Sequence, residues 1–305
     1  MLTNLHLIVS ALVIGSAYAL VGIGYNLAYS TLRVINFAQG QIYMLGAFVF
    51  ASASDNGLWV GFALLAGIAV GAVLGVAIER LVITPIMRQG FTHGNTQAAL
   101  LGTVAAGIVL TEVANRIWGT DELAVKALFG SGTVQIGGLT VGIDAITVIV
   151  GAALLFAIVW FILYRTAVGL QMRAVFADPM GVMLQGINYR TITSISFIVG
   201  GVLAAIAGIL VSPLSSITTS SGTALSIQGI LTALVGGLGR MWAVVPAGIA
   251  IGLSQTFISY YITSQYADLI TYGLIFLALV VPYAVRLLGH RLHGIALRRR
   301  AVAPA

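Results

Sequence analysis

Long apolar stretches with almost no charge in them dominate this sequence. Only 7% of its 305 residues are charged and 59% are hydrophobic, whereas about a quarter of the residues of an ordinary soluble domain are charged. So few charged side chains cannot cover a surface that faces water, which argues against a soluble enzyme or binding domain. Apolar dominance also excludes disordered and collagen-like chains, and the lack of cysteine excludes a disulfide-stabilised fold. The sequence therefore predicts an all-α polytopic integral membrane protein.

Nine apolar segments can be marked off between charged or turn-forming residues. A helix needs about 20 residues to cross a bilayer, and two of the segments, 39–53 and 223–239, are shorter than that. We therefore predict about eight or nine helices that cross the membrane or enter it partway, within a single transmembrane domain of residues 1–305. The other segments are 6–28, 58–78, 96–115, 143–164, 191–211, 243–263 and 268–286.

The basic residues predict the orientation of these helices. Nine crossings place the two termini on opposite sides, and all but two of the 14 Lys and Arg residues then fall on one side. Because basic loops stay in the cytoplasm, we expect the N-terminus outside and the C-terminus in the cytoplasm. The positive net charge of +6 is explained by this topology, and no nucleic-acid partner is expected. The same topology makes 116–142 an extracytoplasmic loop, 165–190 a cytoplasmic segment and 287–305 a basic cytoplasmic tail.

The outer loop contains one predicted element of its own. Two short β-like runs, Val134–Ile136 and Leu139–Val141, flank a Gly-Gly pair. That pattern is typical of a small β-hairpin.

The chain carries little that could perform chemistry on its own. Its single lysine, Lys126, does not belong to a Gly-Lys-Ser/Thr sequence, so the chain has no P-loop and is not expected to hydrolyse ATP. No metal site or catalytic residue is predicted. Ion coupling is disfavoured because the spans hold almost no ionisable groups. The exception, Glu112, precedes Arg116 by one helical turn, which predicts a structural ion pair; the alternative is that Glu112 is a coupling site.

Polar residues enter the apolar sequence at the start of the first short segment. Amide side chains and a glycine in a short span indicate a broken helix whose free backbone groups line a cavity. The second short segment also ends in a pair of glycines, so the two segments together suggest a central pathway. The alternative is that Asn36 and Gln39 are helix caps at the membrane interface. The candidate pathway residues are Asn36, Gln39, Gly40, Gln41, Gly236 and Gly237.

Several motifs, in this order along most of the chain, resemble the branched-chain amino acid permeases of ABC importers, and in particular the shorter of the two permease types that usually pair. The similar segments are Gly15–Val21, Arg33–Gly40, Tyr43–Ala47, Glu79–Leu81, Gly169–Ala174, Gly186–Asn188, Gly200–Gly208 and Val235–Gly239.

The resemblance implies a division of labour among several subunits. Two separate ATP-binding subunits would bind ATP and Mg, and this chain would bind no cofactor. An extracytoplasmic binding protein would deliver the solute, and a second permease subunit, expected to be a different chain, would complete the pathway in the cell's inner membrane. Within 165–190 the resemblance implies a helix that docks onto an ATPase; the alternative is a merely basic connector. The implied coupling residues are Arg173, Asp178, Gly186 and Asn188.

The implied function is transport of branched-chain, hydrophobic amino acids by alternating access driven by the ATPases. Urea or short amides are the alternative substrates, and an ion-coupled carrier is the less favoured class. The sequence departs from the family pattern at three places. Gln39 stands where His is usual, Gly181 stands where Ala is usual, and Arg286–Arg291 replaces the usual C-terminal motif.

Overall fold

The computed structural model describes residues 2–88, 90, 92–130, 132–136 and 139–280, and most of them are helical. This confirms the predicted all-α polytopic membrane fold, because six of the described helices, α1, α3, α5, α6, α9 and α11, are long and apolar enough to span a bilayer. The helices are α1 Leu2–Leu32, α2 Gln39–Asp55, α3 Val60–Ile78 with the π-helical turn Glu79–Ile83 that continues it into α4 Thr84–Met87, α5 His93–Trp118, α6 Ile143–Arg165, α7 Ala167–Ala177, α8 Pro179–Leu184, α9 Tyr189–Val211, α10 Ser221–Gly236, α11 Met241–Tyr261 and α12 Ala267–Val280.

Three of the nine predicted spans correspond to shorter helices, namely α2, α10 and α12. At 1.5 Å per residue, the 17 residues of α2 and the 16 of α10 extend about 25 Å, less than the roughly 30 Å thickness of the hydrocarbon core. The predicted span 268–286 runs past the last described residue, and the tail 287–305 lies outside the described residues. The side of the membrane that each loop faces stays a prediction.

Helix α9 packs against α1, α2 and α3 in the core. The α3–α9 crossing is close because glycines meet there. A Cβ on Gly201 would collide with the carbonyl oxygen of Gly71, and one on Gly75 would collide with that of Phe197. Small residues at such crossings let helix backbones approach in lipid, where van der Waals packing rather than hydrophobicity drives association.

Helices α2 and α10 both begin inside the helix bundle rather than at its ends. Residues 33–38 leave the end of α1 without forming regular helix, and α2 then begins beside Gly200, midway along α9. The first turn of α10 lies against the first turn of α2, where a Cβ on Gly40 would collide with the carbonyl oxygen of Gly222. Two interrupted helices therefore meet at their N-terminal ends.

The loop between α5 and α6 folds against the end of α2 and the segment that follows α9. Its predicted hairpin is confirmed: β1 (Thr133–Ile136) and β2 (Leu139–Gly142) pair antiparallel. Lys126 Nζ lies 3.0 Å from Asp55 Oδ1 at the end of α2. Leu123 and Ile217 exchange backbone hydrogen bonds just beyond the end of α9. These contacts place the loop at one end of the bundle.

Contacts divide the chain into two compact units, and the predicted single transmembrane domain of residues 1–305 stays a prediction. The first extends to Leu253 and contains all the candidate pathway and coupling residues. The second begins at Ser254 and includes the end of α11 and all of α12. Within it, Gln255 donates a hydrogen bond to the Asp268 carboxylate.

Candidate solute pathway and docking helices

Asn36 and Gln39 hold the start of α2 in place. The Asn36 carboxamide oxygen accepts a hydrogen bond from the Ala38 backbone N–H (3.2 Å), and its nitrogen donates to Gln39 Oε1 (3.3 Å). Gln39 Nε2 donates in turn to the carbonyl oxygen of Gly200 (2.6 Å). Both side chains are buried. They therefore anchor the segment that precedes α2 and the first residue of α2 to the interior of the bundle.

Gly40 and Ser226 join the two interrupted helices. The Ser226 hydroxyl accepts from the Gly40 N–H (3.1 Å) and donates to the carbonyl oxygen of Phe37 (3.2 Å). One hydroxyl thus satisfies two backbone groups that a broken helix leaves without intrahelical partners. The close approach of α2 and α10 depends on the absence of a side chain at Gly40.

A row of small and polar residues on α5 faces this junction. Thr103, Gly107, Thr111 and Asn115 recur every four residues and so share one helix face. Thr103 Oγ1 accepts from the Phe37 N–H (3.1 Å), and the Gln41 amide lies against Gly107. The sequence analysis missed this row, although its four-residue period was visible in the sequence.

A cavity of about 310 Å³ opens between α2, α5 and α10. Its polar wall includes Gln41, whose Nε2 lies 3.5 Å from Thr223 Oγ1. The oxygen of the Asn115 carboxamide is buried and has no hydrogen-bond partner among the described residues. The lining is polar at Gln41, Thr111, Glu112, Asn115, Thr223 and Ser226, and apolar at Phe37, Val104, Ile108 and Ile227.

The remaining candidate pathway residues lie elsewhere. Gly236 packs against the backbone of Val244 on α11, and Gly237, with φ +85°, follows the last residue of α10. Both are therefore at the opposite end of α10 from Ser226, so the structure does not bring them together with Asn36–Gln41. Of the six candidate pathway residues, Gln41 is the one whose side chain lines the cavity.

Glu112 and Arg116 form an ion pair on the surface of α5. Arg116 Nε lies 3.1 Å from Glu112 Oε1, and both side chains are more than half exposed. An exposed pair one helical turn apart contributes only about 0.3–0.5 kcal/mol. Glu112 also borders the cavity, so its carboxylate stands at the edge of the polar wall with its charge compensated.

The implied coupling residues lie on or beside two short helices, α7 and α8. Arg173 lies over the Tyr164 ring (4.8 Å to its centre), and Asp178 follows the last residue of α7. Gly186, with φ +77°, follows the end of α8. Asn188 caps α9 by accepting from the Thr191 N–H. A helix-ending role thus fits Gly186, while Asn188 has a local structural role that the sequence did not predict.

Helices α7 and α8 present apolar side chains to the outside of the chain. Helix α7 buries Gly169, Met172 and Val175, whereas Leu170 on the same helix is 61% exposed and Leu184 on α8 is 90% exposed. Exposed leucines thus lie on the two helices that carry or border the charges of Arg173 and Asp178. Among the described residues, no cluster of His, Asp and Glu side chains could hold a metal ion.

The sequence matches the family described as "Branched-chain amino acid transport system / permease component" over residues 7–279. The chain belongs to this family. It is 27% identical to the high-affinity branched-chain amino acid transport system permease protein LivH of Escherichia coli K12, over 88% of this chain and 90% of that one. It is also 27% identical to the corresponding protein BraD of Pseudomonas aeruginosa (90% and 93% of the two chains). Identity to a probable permease of Methanocaldococcus jannaschii, named LivH, is 26% over 90% of each chain.

Proposed function

We propose that this chain carries branched-chain amino acids across the membrane through the cavity between α2, α5 and α10, as one permease subunit of an ABC importer. The observation that supports this most strongly is the cavity itself. It lies where two interrupted helices meet inside the bundle, the arrangement from which transporters build solute sites. Its volume of about 310 Å³ falls at the lower end of the range of about 300–1,000 Å³ for small-molecule sites.

The composition of the cavity suits a solute with one polar end and one apolar end. Gln41 and Thr223 can exchange hydrogen bonds with a carboxylate or an ammonium group. The N-terminal ends of α2 and α10 favour negative charge. Ile108, Val104 and Ile227 offer an apolar wall for a branched side chain. Urea has no apolar part to place against that wall, so these contacts favour a branched-chain amino acid.

Neutral polar groups also suit passage rather than retention. A zwitterion in hydrocarbon needs hydrogen-bond partners, because an unsatisfied polar group costs several kcal/mol there. A fixed, unpaired charge would hold it more tightly. The one acid at the cavity, Glu112, is neutralised by Arg116.

The energy would come from two separate ATP-binding subunits that hold ATP and Mg and dock on α7 and α8. The exposed leucines of these helices and the charges at Arg173 and Asp178 support that assignment. A second permease subunit, an extracytoplasmic binding protein and a location in the cell's inner membrane complete the proposed system.

Uptake by the reconstituted complex tests this function. The chain is placed in lipid vesicles with its partner permease and ATPases, ATP is enclosed on the ATPase side, and the binding protein is added on the other. We expect uptake of radiolabelled leucine that depends on ATP and is inhibited by valine and isoleucine. Uptake of urea in place of leucine, or leucine uptake without ATPases, would contradict the proposal.

A pair of variants connects that uptake with the cavity. Gln41→Leu removes the amide at the polar wall with little change in volume, and we expect it to slow uptake. Gln97→Leu is the matched control, because Gln97 is on α5 but does not line the cavity. Both variants should retain the ATPases. Equal uptake by the two variants would show that the cavity is not the pathway.

A further inference from the structure

The first residue after α1 has an unusual backbone. Arg33 has φ +56°, in the left-handed region, and is the one non-glycine residue with positive φ among those that the structure describes. This conformation is uncommon for a residue with a long side chain and costs free energy unless other contacts hold it. Contacts of the Arg33 side chain must therefore hold this conformation in place.

The Arg33 side chain reaches the end of α7. Its Nη2 donates a hydrogen bond to the carbonyl oxygen of Phe176 (2.8 Å), and its guanidinium carbon lies 4.3 Å from the centre of the Phe176 ring. Phe176 is in the last turn of α7, where carbonyl groups lack intrahelical partners and the helix dipole favours a cation. A charge-assisted hydrogen bond and a cation–π contact therefore join two residues that are 143 positions apart.

Phe176 is also held from its other side. Its ring covers Gly239 so closely that a Cβ there would collide with it. The N–H of Gly239 donates to the buried Asn26 side chain on α1 (2.8 Å). The end of α7 is thus fixed between Arg33 and the turn that follows α10.

Arg33 also begins the non-helical segment that leads to the cavity. In the next few residues, Phe37 bonds through its N–H to Thr103 and through its carbonyl to Ser226. Gln41, at the cavity wall, lies in the first turn of the helix that this segment starts. A displacement of α7 that pulls on Arg33 would therefore reach the cavity through the five residues 34–38, whose hydrogen bonds to Thr103 and Ser226 connect them to the helices around it.

We infer that Arg33 is a positioning residue that transmits movement of the docking helix α7 to the segment 34–38 and so to the cavity at the start of α2. This rests on the proposed docking of an ATPase on α7. Arg33 touches neither the solute cavity nor the exposed face of α7. Its substitution should therefore separate ATP hydrolysis from transport rather than abolish either assembly or folding.

The test measures leucine uptake per ATP hydrolysed by the reconstituted complex. Arg33→Gly removes the side chain and also relieves the backbone strain, so a loss of function cannot be attributed to a poorer backbone fit. We expect ATPase association and ATP hydrolysis to remain, and the ratio of uptake to hydrolysis to fall about tenfold, as for loss of a hydrogen bond to a charged group. Arg33→Lys keeps the cation and should give an intermediate ratio.

Arg165→Gln is the matched control. The Arg165 guanidinium lies over Trp160 (5.8 Å), a ring of its own helix α6, so this variant removes an arginine–aromatic contact without disconnecting two elements. It should keep the parent ratio of uptake to hydrolysis.

A second measurement tests directly whether movement reaches the cavity, and it is possible because the chain has no cysteine. Ile108→Cys places a thiol at the cavity, and its rate of modification should change when ATP is added to the complex. With Arg33→Gly in addition, we expect no such change.

A ratio of uptake to hydrolysis in Arg33→Gly equal to that of the parent would overturn the inference. Loss of the ATPases from that variant would overturn it as well, because Arg33 would then be a docking residue. Failure of the parent chain itself to bind ATPases would instead refute the proposed function of α7.

Discussion

Single polar side chains replace the backbone hydrogen bonds that the start of α2 and the segment before it lack. Ser226 bonds to the Gly40 N–H and the Phe37 carbonyl. Thr103 accepts from the Phe37 N–H, and Asn36 accepts from the Ala38 N–H. In a bilayer such bonds matter because no water can take their place. Each of these residues is therefore needed for the irregular backbone before any solute arrives.

The effect of a substitution at Gln39 on stability should depend on whether the new side chain can donate a hydrogen bond to the Gly200 carbonyl. Gln39→Leu leaves the Gly200 carbonyl and the Asn36 amide without this partner, which we expect to cost about 1–3 kcal/mol. Gln39→His restores the residue usual in similar permeases and keeps a ring N–H that can donate to Gly200, so it should be tolerated. The thermal unfolding midpoint in detergent measures both. A midpoint for Gln39→Leu equal to that of the parent would show that the bond does not stabilise the fold.

Asn115 should affect the solute rather than the fold, since it lines the cavity and its carboxamide oxygen has no hydrogen-bond partner among the described residues. Asn115→Leu removes a polar group from the cavity wall. A typical net hydrogen bond is worth about 0.5–1.5 kcal/mol, so the leucine concentration for half-maximal uptake should rise about threefold to tenfold. The unfolding midpoint should not fall. A fall in the midpoint with unchanged uptake would assign Asn115 a structural role instead.

At the scale of elements, the sequence predicted that a broken helix exists. It did not predict which polar residues of that helix line the cavity and which bond to a neighbouring helix. Amide side chains and a glycine in a short apolar segment indicate an interrupted helix. Polar groups in lipid need hydrogen-bond partners, and the free backbone groups of a broken helix can provide them. The same pattern cannot say that Gln39 faces α9 while Gln41 faces the cavity, because that depends on which helix packs on each side.

Contacts between distant elements were the other part that the sequence could not provide. The periodic row Thr103–Asn115 defines a helix face but not its partner. The pairing of Arg33 with Phe176 depends on how α1 and α7 pack, and neither residue is marked out by its local sequence. The hairpin between α5 and α6 was predictable because its two strands are adjacent in the chain.

The close crossing of α3 and α9 predicts that even a methyl group added between these two helices lowers the stability of the protein. Gly201→Ala puts a methyl group into the Gly71 backbone, which cannot yield as a flexible side chain could. Overpacking of this kind costs about 1–3 kcal/mol, so the thermal unfolding midpoint should fall. Gly94→Ala is the control, because a Cβ at Gly94 meets no atom within 4 Å. Similar midpoints for the two variants would contradict the close crossing.

For the whole molecule, the distribution of charge predicts the orientation in the membrane. Asn56, after α2, and Gln185, after α8, are both exposed and belong to loops expected on opposite sides. Because the chain has no cysteine, a single cysteine can be introduced at either position without a background. An impermeant thiol reagent applied to intact cells should label Asn56→Cys and not Gln185→Cys. The reverse result would invert the topology, and labelling of both would refute it.

The central claim is that solute passes through the cavity between α2, α5 and α10, and blocking that cavity tests it most directly. Ile227→Cys places a thiol on the cavity wall, and Leu101→Cys places one on the exposed surface of α5 away from it. Leucine uptake by the reconstituted complex is measured after complete reaction of each thiol with a bulky reagent. We predict that modification at Ile227→Cys stops uptake, that leucine slows this modification, and that modification at Leu101→Cys has no effect. Uptake at the parent rate by the fully modified Ile227→Cys protein would contradict the account.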